Sequence, residues 1–495
     1  MTNGLVPQQD YPAGADYAAR MRNLVPARHA AINPTWFTAP FTHTLDWPFP
    51  QLFRGEDITL LFGKTTVSTV ASDWVLTALT TYQSDDRDET LAISAGGPWH
   101  VANFEDIWFA TNGVSLVFQM PAYNKALVAD GLTVQSVCSY KDRLFMVGLA
   151  GDWFAGTRWQ ALFTTWRKTQ PHLKHDQQSW STKWAVWGAH KGGDSDIPFW
   201  FLMIALGIIG TDAFDRMESK LLAMIEQGQL GFVSIRKIGD PLVAKQIGDD
   251  VAVYSTEGRV LLRPAEDGEF MVQSTPHQGC TSRGAVSGDE GEHAWIDPLG
   301  EMNAVTPDGA LRELEQGHLF TDVTDLVSTF DPLAREHWFS TLAYSYALNR
   351  YGVGGPLDVR PTALARINGS LYGAGYGLDA DPAVVAVELY GHDHNMGYQG
   401  LKQVSVIQMQ QKGLTGPWVD VKASDVAGQT PYSIGAVQAN DYDYGYPARS
   451  GDRFQCGGGG AAAIGATYAI NGLTVHYRAE DRSGRRGAGR GAEGS

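Results

Sequence analysis

Along most of this chain apolar residues fall in short runs or at alternate positions, and Gly, Asp or Asn closes each run. That pattern predicts antiparallel β-hairpins rather than helices. It is clearest between Phe232 and Thr306, where one small unit is written twice. The first copy, residues 245–262, reads KQIGDDVAVYSTEGRVLL; the second, residues 282–305, reads SRGAVSGDEGEHAWIDPLGEMNAV. Each gives a short strand, a polar turn, an apolar strand, a Gly-containing turn and another strand.

The same grammar extends upstream. Residues 57–62 and 65–70 form a hairpin linked at Gly63-Lys64, and residues 97–110 turn at Asn112-Gly113 into 114–118, where Asn-Gly is a strong hairpin signal. A third unit runs from Val134 to Gly148, followed by aromatic-rich segments. Aligned on a central acid, the units sit at Asp106, Asp142, Asp250 and near Glu292. Repeats of about 35 to 50 residues, each a few antiparallel strands, predict β-propeller blades, because one such sheet cannot bury both faces without neighbours. Stacked β-sandwiches are the alternative. The blade motif is carried by Tyr140, Asp142, Leu144, Phe145, Val147 and Trp295.

Two stretches break the series. Residues 197–210 are apolar nearly throughout; a buried strand pair or helix is the simpler reading, and Ile197, Phe199, Trp200, Phe201, Leu202 and Ile204 are the candidates for a subunit contact or tip. At about 14 residues the run is short of the roughly 20 that a membrane helix needs. After it, Phe214, Met217, Leu221, Met224 and Ile225 fall at helical spacing, with Asp212 placed to cap and Gly228 to stop a helix.

The expected organisation is therefore all-β. An extended, Pro-rich arm (1–50) with one helical turn around Ala15 to Leu24 precedes a β-propeller (51–400). The propeller has a helical insertion around 197–228 and an irregular segment at 311–382, in which Leu319 to Phe330 reads as a loop and short helix. A smaller C-terminal β layer (401–478), with Gly457 to Gly460 as a flexible or closely approached turn, leads to a disordered, locally basic tail (479–495).

Composition sharpens this picture. In 495 residues there are 56 Gly, 15 Trp, 19 Tyr and 20 Phe, which suits turns and aromatic-filled strands. A formal charge of -16 argues against a body that wraps nucleic acid. Cys138, Cys280 and Cys456 are too few and too scattered for a disulfide scaffold or thiolate zinc site, and are expected to be reduced. The first residues show neither a basic start nor an apolar stretch, so no signal peptide is expected.

Candidate chemistry is sparse. His392 and His394 could share one face of a strand and hold a metal, but no third ligand stands out, and an exposed loop is the simpler reading. Ser287 to Trp295 approaches the Asp-box of sialidases, with the aromatic one position late and no second copy. Asp85-Asp86, Asp249-Asp250 and Asp289-Glu290 read as solvated turns; catalysis would need two carboxyls within roughly 5 to 10 Å. Phosphate-loop, zinc-protease and hydrolase-elbow motifs are absent. No cofactor, metal or catalytic residue is expected. Asn368-Gly-Ser370 is a formal glycosylation acceptor without a secretory context.

Residues 139–148 preceded by 134–137, the strand at 402–409, and the ending 473–478 with Arg485-Arg486-Gly487 together resemble the tail hub or nozzle proteins of short-tailed bacteriophages, the tail tubular protein B family. The resemblance implies a non-enzymatic virion protein, assembled in the host cytoplasm as a ring of six copies. It further implies contacts with an adaptor ring and with tail fibre or needle proteins, and passage of viral DNA without specific binding or membrane insertion. An acidic chain would then favour a lumen through which DNA slides. A propeller-type glycan-binding or adhesion protein is the alternative, ahead of a glycoside hydrolase.

Overall fold

The computed structural model describes residues 18–27, 30–32, 51–54, 59–62, 67–70, 76–79, 96–104, 107–120, 125–129, 133–141, 143–148, 184–189, 230–235, 238–265, 270–276, 279–314, 319–320, 323, 325–367, 370–376, 384–391, 402–424, 436–439, 444–447, 449–451, 453–463 and 466–479. They form two units. One is residues 45–328; the other joins residues 1–44 to residues 329–495.

The second of these begins with three short strands, β1 (Ala18–Arg22), β2 (Val25–Pro26) and β3 (Ala31–Ile32). The chain then builds the 45–328 unit from successive four-stranded antiparallel sheets. Strands β4 to β7 are Gln51–Arg54, Thr59–Phe62, Val67–Val70 and Leu76–Leu79; β8 to β11 are His100–Phe104, Ile107–Thr111, Leu116–Met120 and Lys125–Ala129. Strands β12 to β15 are Ser136–Tyr140, Arg143–Val147, Trp184–Ala189 and Leu230–Ser234; β16 to β19 are Pro241–Ile247, Asp250–Ser255, Gly258–Pro264 and Phe270–Pro276. Strands β20 to β23 are Val286–Asp289, Glu292–Ile296, Met302–Val305 and Leu311–Glu313.

In each sheet the strands pair in sequence order, and the first strands lie against one another: β8 on β12, β12 on β16, β16 on β20. Meanders that share an inner edge and fan outward are propeller blades, and the fold of this unit is a β-propeller. The duplicated stretch at 245–305 supplies the hairpins β16–β18 and β20–β22.

The reason for the apolar-rich strands is visible between the third and fourth blades. Cys138, Tyr140, Phe145 and Val147 interleave with Ala244, Val251, Val253, Val260, Leu262 and Phe270 in one buried cluster. Phe145 meets Phe270 edge-on at 5.1 Å and Tyr140 at 6.1 Å. Both faces of a blade are thus removed from water, so a strand such as β13 is buried along nearly its whole length instead of alternating. The β16–β17 hairpin turns at Gly248, whose φ of 54° is open to glycine at little cost.

The chain passes into the other unit within β24 (Val327–Asp331), which starts a further meander with β25 (Glu336–Ser340), β26 (Ser345–Asn349) and β27 (Gly352–Leu357). A hairpin, β28 (Arg360–Ile367) with β29 (Ser370–Tyr376), comes next. The rest are β30 (Val384–Gly391), β31 (Lys402–Lys412), β32 (Thr415–Ser424), β33 (Val437–Gln438), β34 (Tyr444–Gly445), β35 (Arg449–Gly451), β36 (Arg453–Ala463) and β37 (Ala469–Ala479). They form two sheets, ordered β1-β30-β36-β32-β33 and β2-β3-β37-β31-β34 with β35 beside β31.

Several expectations change. The N-terminal stretch expected to hold a helical turn is strand at 18–22, and completes a sheet begun far along the chain. The segment expected to be loop and short helix contains β24, and strands β24–β29 occupy much of 311–382. Gly457 to Gly460 is not a turn: it lies in β36, in the middle of a sheet. A Cβ on Gly457 would run into the Tyr390 ring, and one on Gly459 would lie 2.7 Å from Cζ2 of Trp418 and against the Val387 carbonyl. The glycines let two aromatic rings rest directly on the backbone, which a local reading of Gly as turn residue misses. Among the described residues helical conformation is limited to short 3-10 pieces, of which Arg283–Ala285 is described over its whole length. The helical insertion around 197–228 lies outside the described residues.

Candidate functional site

Six candidates for a contact or tip, Ile197, Phe199, Trp200, Phe201, Leu202 and Ile204, lie outside the described residues, as do Asp142, His392 and His394. The other blade-motif residues are all in the core. Tyr140, Leu144, Phe145, Val147 and Trp295 are buried, and the Tyr140 hydroxyl donates to the Asp249 carbonyl at 2.5 Å. Trp295 lies 5.2 Å from the Tyr254 ring, with the Arg259 guanidinium 5.4 Å over its face. The Asp-box lookalike is a plain hairpin between β20 and β21, in which Asp289 Oδ1 accepts from the Gly291 N–H at 2.9 Å. Asp250 sits at the start of β17 and is paired with Arg263 at 2.9 Å.

What the sequence did not reveal lies on the propeller axis. The inner strands enclose a cavity of about 550 Å³, lined by residues of β8, β12, β16, β20 and β24. Segments leading into these strands converge at one end of it. Arg283 donates from Nε to the Gln135 carbonyl at 2.7 Å and from Nη2 to the Thr111 carbonyl at 3.1 Å. Beside it, a Cβ on Gly284 would meet the Leu326 carbonyl and stand 3.1 Å from Cγ of Pro98. Only a residue without a side chain lets these segments close together. At the other end Ser139, Gln246, Asp289 and Glu290 form the rim.

His100 joins four blades in one chain of hydrogen bonds. Its Nε2 faces the Arg283 carbonyl at 2.9 Å, an acceptor, so Nε2 carries the hydrogen. Its Nδ1 is then the acceptor for the Ser136 hydroxyl at 2.8 Å, and Ser136 Oγ in turn accepts from the Ala244 N–H at 3.0 Å. Burial, with the Arg283 charge, holds the imidazole well below its ordinary 6.5, so it is neutral. Both ring nitrogens are committed, leaving no lone pair for a general base. A second relay repeats the logic between the next blades. The Tyr254 hydroxyl donates to His293 Nδ1 at 2.9 Å, and His293 Nε2 donates to the Gln246 carbonyl at 2.8 Å.

Two other groups face the cavity. Burial pushes the Cys138 thiol up to about 12, so it is protonated and a poor nucleophile. Lys245 donates from Nζ to the Gly288 carbonyl at 3.1 Å, and burial lowers its pKa. Among the described residues no group of His, Cys, Asp and Glu is arranged to hold a metal ion. No helix of the described residues is long and apolar enough to cross a membrane.

No protein-family model matches the chain, and no curated protein matches it in sequence. Solved structures give distant likenesses. PorZ, a surface component of the type-IX secretion system of Porphyromonas gingivalis, is 8% identical, with 70% of this chain and 36% of that one covered and a TM-score of 0.35. The extracellular domain of the putative one-component system BT4673 from B. thetaiotaomicron is 8% identical, covers 95% of this chain and 58% of its own, and scores 0.37. BamB from Moraxella catarrhalis is 10% identical, with 68% and 96% covered and a score of 0.33. The chain spans less than two thirds of the first two proteins. Likenesses this distant carry no argument about activity, and the propeller assignment stands on the order and contacts of the strands themselves.

Proposed function

We propose that this chain is a non-catalytic propeller protein that works by assembly and binding, and that it serves as a ring component of the tail hub or nozzle of a short-tailed bacteriophage. The observation that carries the non-catalytic reading is the commitment of the axial polar groups. His100 and Ser136, the residues best placed for acid–base chemistry, are consumed in hydrogen bonds that tie blades together, and Arg283 spends Nε and Nη2 in the same way. The tail assignment rests on the sequence resemblance in residues 134–148, 402–409, 473–478 and 485–487 and on the acidic balance of -16. Under it, six copies surround a conduit beneath an adaptor ring, meet tail fibre or needle proteins, and pass DNA without holding it.

A second reading, a glycan-binding or adhesion protein on the same propeller, is favoured by the axial cavity with its rim of Ser139, Gln246, Asp289 and Glu290. Electron microscopy and mass measurement of the purified protein, alone and mixed with phage adaptor rings, separate the two. Closed rings, or rings formed only on the adaptor, are the expected result. A monomer that ignores adaptors and retains a glycan on an array would overturn the tail reading in favour of the second.

A further inference from the structure

Asn-Gly occurs four times in the chain, and the two copies among the described residues sit in opposite settings. Asn3-Gly4 and Asn368-Gly369 lie outside those residues. Asn112-Gly113 is locked into the turn between β9 and β10. Asn112 is 1% exposed, and its Oδ1 accepts from the Val114 N–H at 3.0 Å and from the Ser115 N–H at 2.7 Å. The Gly113 N–H donates to Thr111 Oγ1 at 3.0 Å, and a Cβ on Gly113 would stand 2.7 Å from Arg283 Nη1. Side-chain amide and following backbone nitrogen are each tied to a third group, so neither turns toward the other. Asn471-Gly472, in β37, lacks these restraints. On β31, Gln410 pairs with Gly472 and Gln411 with Ile470, so Asn471 is the extra residue of a β-bulge, without a partner across the ladder. Asn471 is exposed, and among the described residues no hydrogen bond ties its side chain. Nothing lies within 4 Å of where a Gly472 Cβ would be.

Asn followed by Gly is a reactive pair, because no Cβ screens the backbone nitrogen from the side-chain amide carbon and the glycine peptide turns freely. The bulge interrupts the ladder that would otherwise hold that peptide in place. We infer that Asn471 is a self-modification site, which the folded chain converts to aspartate and isoaspartate while Asn112 stays intact. The Gly472 nitrogen gives up its proton and bonds to Asn471 Cγ. The Cγ–Nδ2 bond breaks, and the amide nitrogen leaves with the proton as ammonia. Water then opens the cyclic imide. Addition at Cγ breaks its bond to the Gly472 nitrogen and gives aspartate. Addition at the Asn471 backbone carbonyl carbon breaks that peptide bond and gives isoaspartate, whose chain runs through Cβ and Cγ. Water is the only co-reactant. The bulge lies between Ile470 and Leu473, both buried. Aspartate adds a charge in solvent and leaves the register alone. Isoaspartate lengthens the backbone between two core anchors and so weakens the pairing of β37 with β31. The site lies within one unit of a single chain and is independent of whether the protein works as a tail ring or an adhesion protein.

The test incubates the full chain at mildly alkaline pH in heavy-oxygen water and follows both sites by peptide mapping and mass spectrometry. Replacement of the amide NH2 by labelled hydroxyl is expected at Asn471 about 10-fold faster than at Asn112 or more, a barrier difference of at least about 1.4 kcal/mol. In urea the two rates should converge, because the fold makes the distinction. Gly472→Ala should slow the reaction at Asn471 about 10-fold, and its melting temperature checks that it folds. Chains enriched in isoaspartate should melt below fresh protein, and Asn471→Asp should melt with it. A folded-state rate at Asn471 no faster than at Asn112, a difference that persists in urea, or an unchanged rate in folded Gly472→Ala each overturns the proposal. Isoaspartate chains that melt with fresh protein would overturn the effect on the β31–β37 pairing.

Discussion

The side chain of Asn23 locks onto Asp358 in both directions: Asn23 Nδ2 donates to the Asp358 carboxylate at 2.7 Å, and the Asp358 backbone N–H donates back to Asn23 Oδ1 at 2.7 Å. Asn23 is also the corner between β1 and β2, which belong to different sheets. It is fully buried, with φ at 56°, and its backbone carbonyl accepts from the Tyr468 hydroxyl at 2.7 Å. Asparagine is among the residues that tolerate this left-handed conformation, and its amide satisfies both Asp358 and the Ala386 carbonyl at 2.7 Å.

Asn23→Ala therefore removes buried hydrogen bonds and adds backbone strain. The expected loss is about 3 to 5 kcal/mol, from roughly 1 to 3 for each group left unsatisfied and roughly 1 to 2 for the conformation. Asn23→Gly keeps the conformation and should recover part of that loss. Urea denaturation compares the three; a loss under about 0.5 kcal/mol for Asn23→Ala would show that the corner is not held this way.

Two glycines in neighbouring strands should behave oppositely. Gly459→Ala places a methyl against the Val387 carbonyl and the Trp418 ring, and should destabilise by about 1 to 3 kcal/mol or more. Gly472 in β37 has nothing within 4 Å of its would-be Cβ, and its φ needs no glycine. Gly472→Ala should be neutral or stabilise by up to about 1 kcal/mol, through the unfolded chain. Melting temperatures of the two variants decide the matter, and similar values would contradict the packing described.

The inter-blade core predicts a graded response at two residues of the blade motif. Phe145→Ala empties a space bounded by the Tyr140 and Phe270 rings and should cost about 3 to 5 kcal/mol. Tyr140→Phe keeps the ring and loses the bond to the Asp249 carbonyl, about 1 kcal/mol. Guanidinium titration of both variants should keep this order; a reversal would mean that the hydroxyl, not the ring packing, holds the third and fourth blades together.

The blades were legible in sequence where strands are short, turns carry Gly or Asp, and apolar runs have sharp ends, as at 245–262 and 282–305. Tyr140, Phe145 and Trp295 announced themselves as core because aromatics within such runs have nowhere else to go. Less legible was anything set by contacts distant in sequence. The pairing of β1 with β30 depends on residues more than three hundred positions apart. Gly457 to Gly460 read as a turn because their role is defined by Tyr390 and Trp418, not by their neighbours. The axial cavity was invisible for the same reason. Lys245, His100, Arg283 and Asp289 come from three blades, and no spacing relates them.

His100 gives the acid side of the stability profile a definite sign. In the fold it is held neutral, well below 6.5, by burial and by Arg283, whereas in the unfolded chain it takes up a proton near 6.5. Below that pH the unfolded state binds more protons than the folded one, so this site's contribution is complete above about pH 6.5 and falls as pH falls toward the folded value. The slope over that window is about 1.4 kcal/mol per pH unit for one proton. His100→Gln removes the titration, so the difference in stability between parent and variant should shrink as pH drops from 7.5 to about 5. Denaturation midpoints at several pH values, with imidazole nitrogen shifts read by NMR, measure both halves. Parallel stability curves, or a ring that protonates near 6.5 in the folded protein, would show that the Ser136–His100–Arg283 chain does not hold the imidazole neutral.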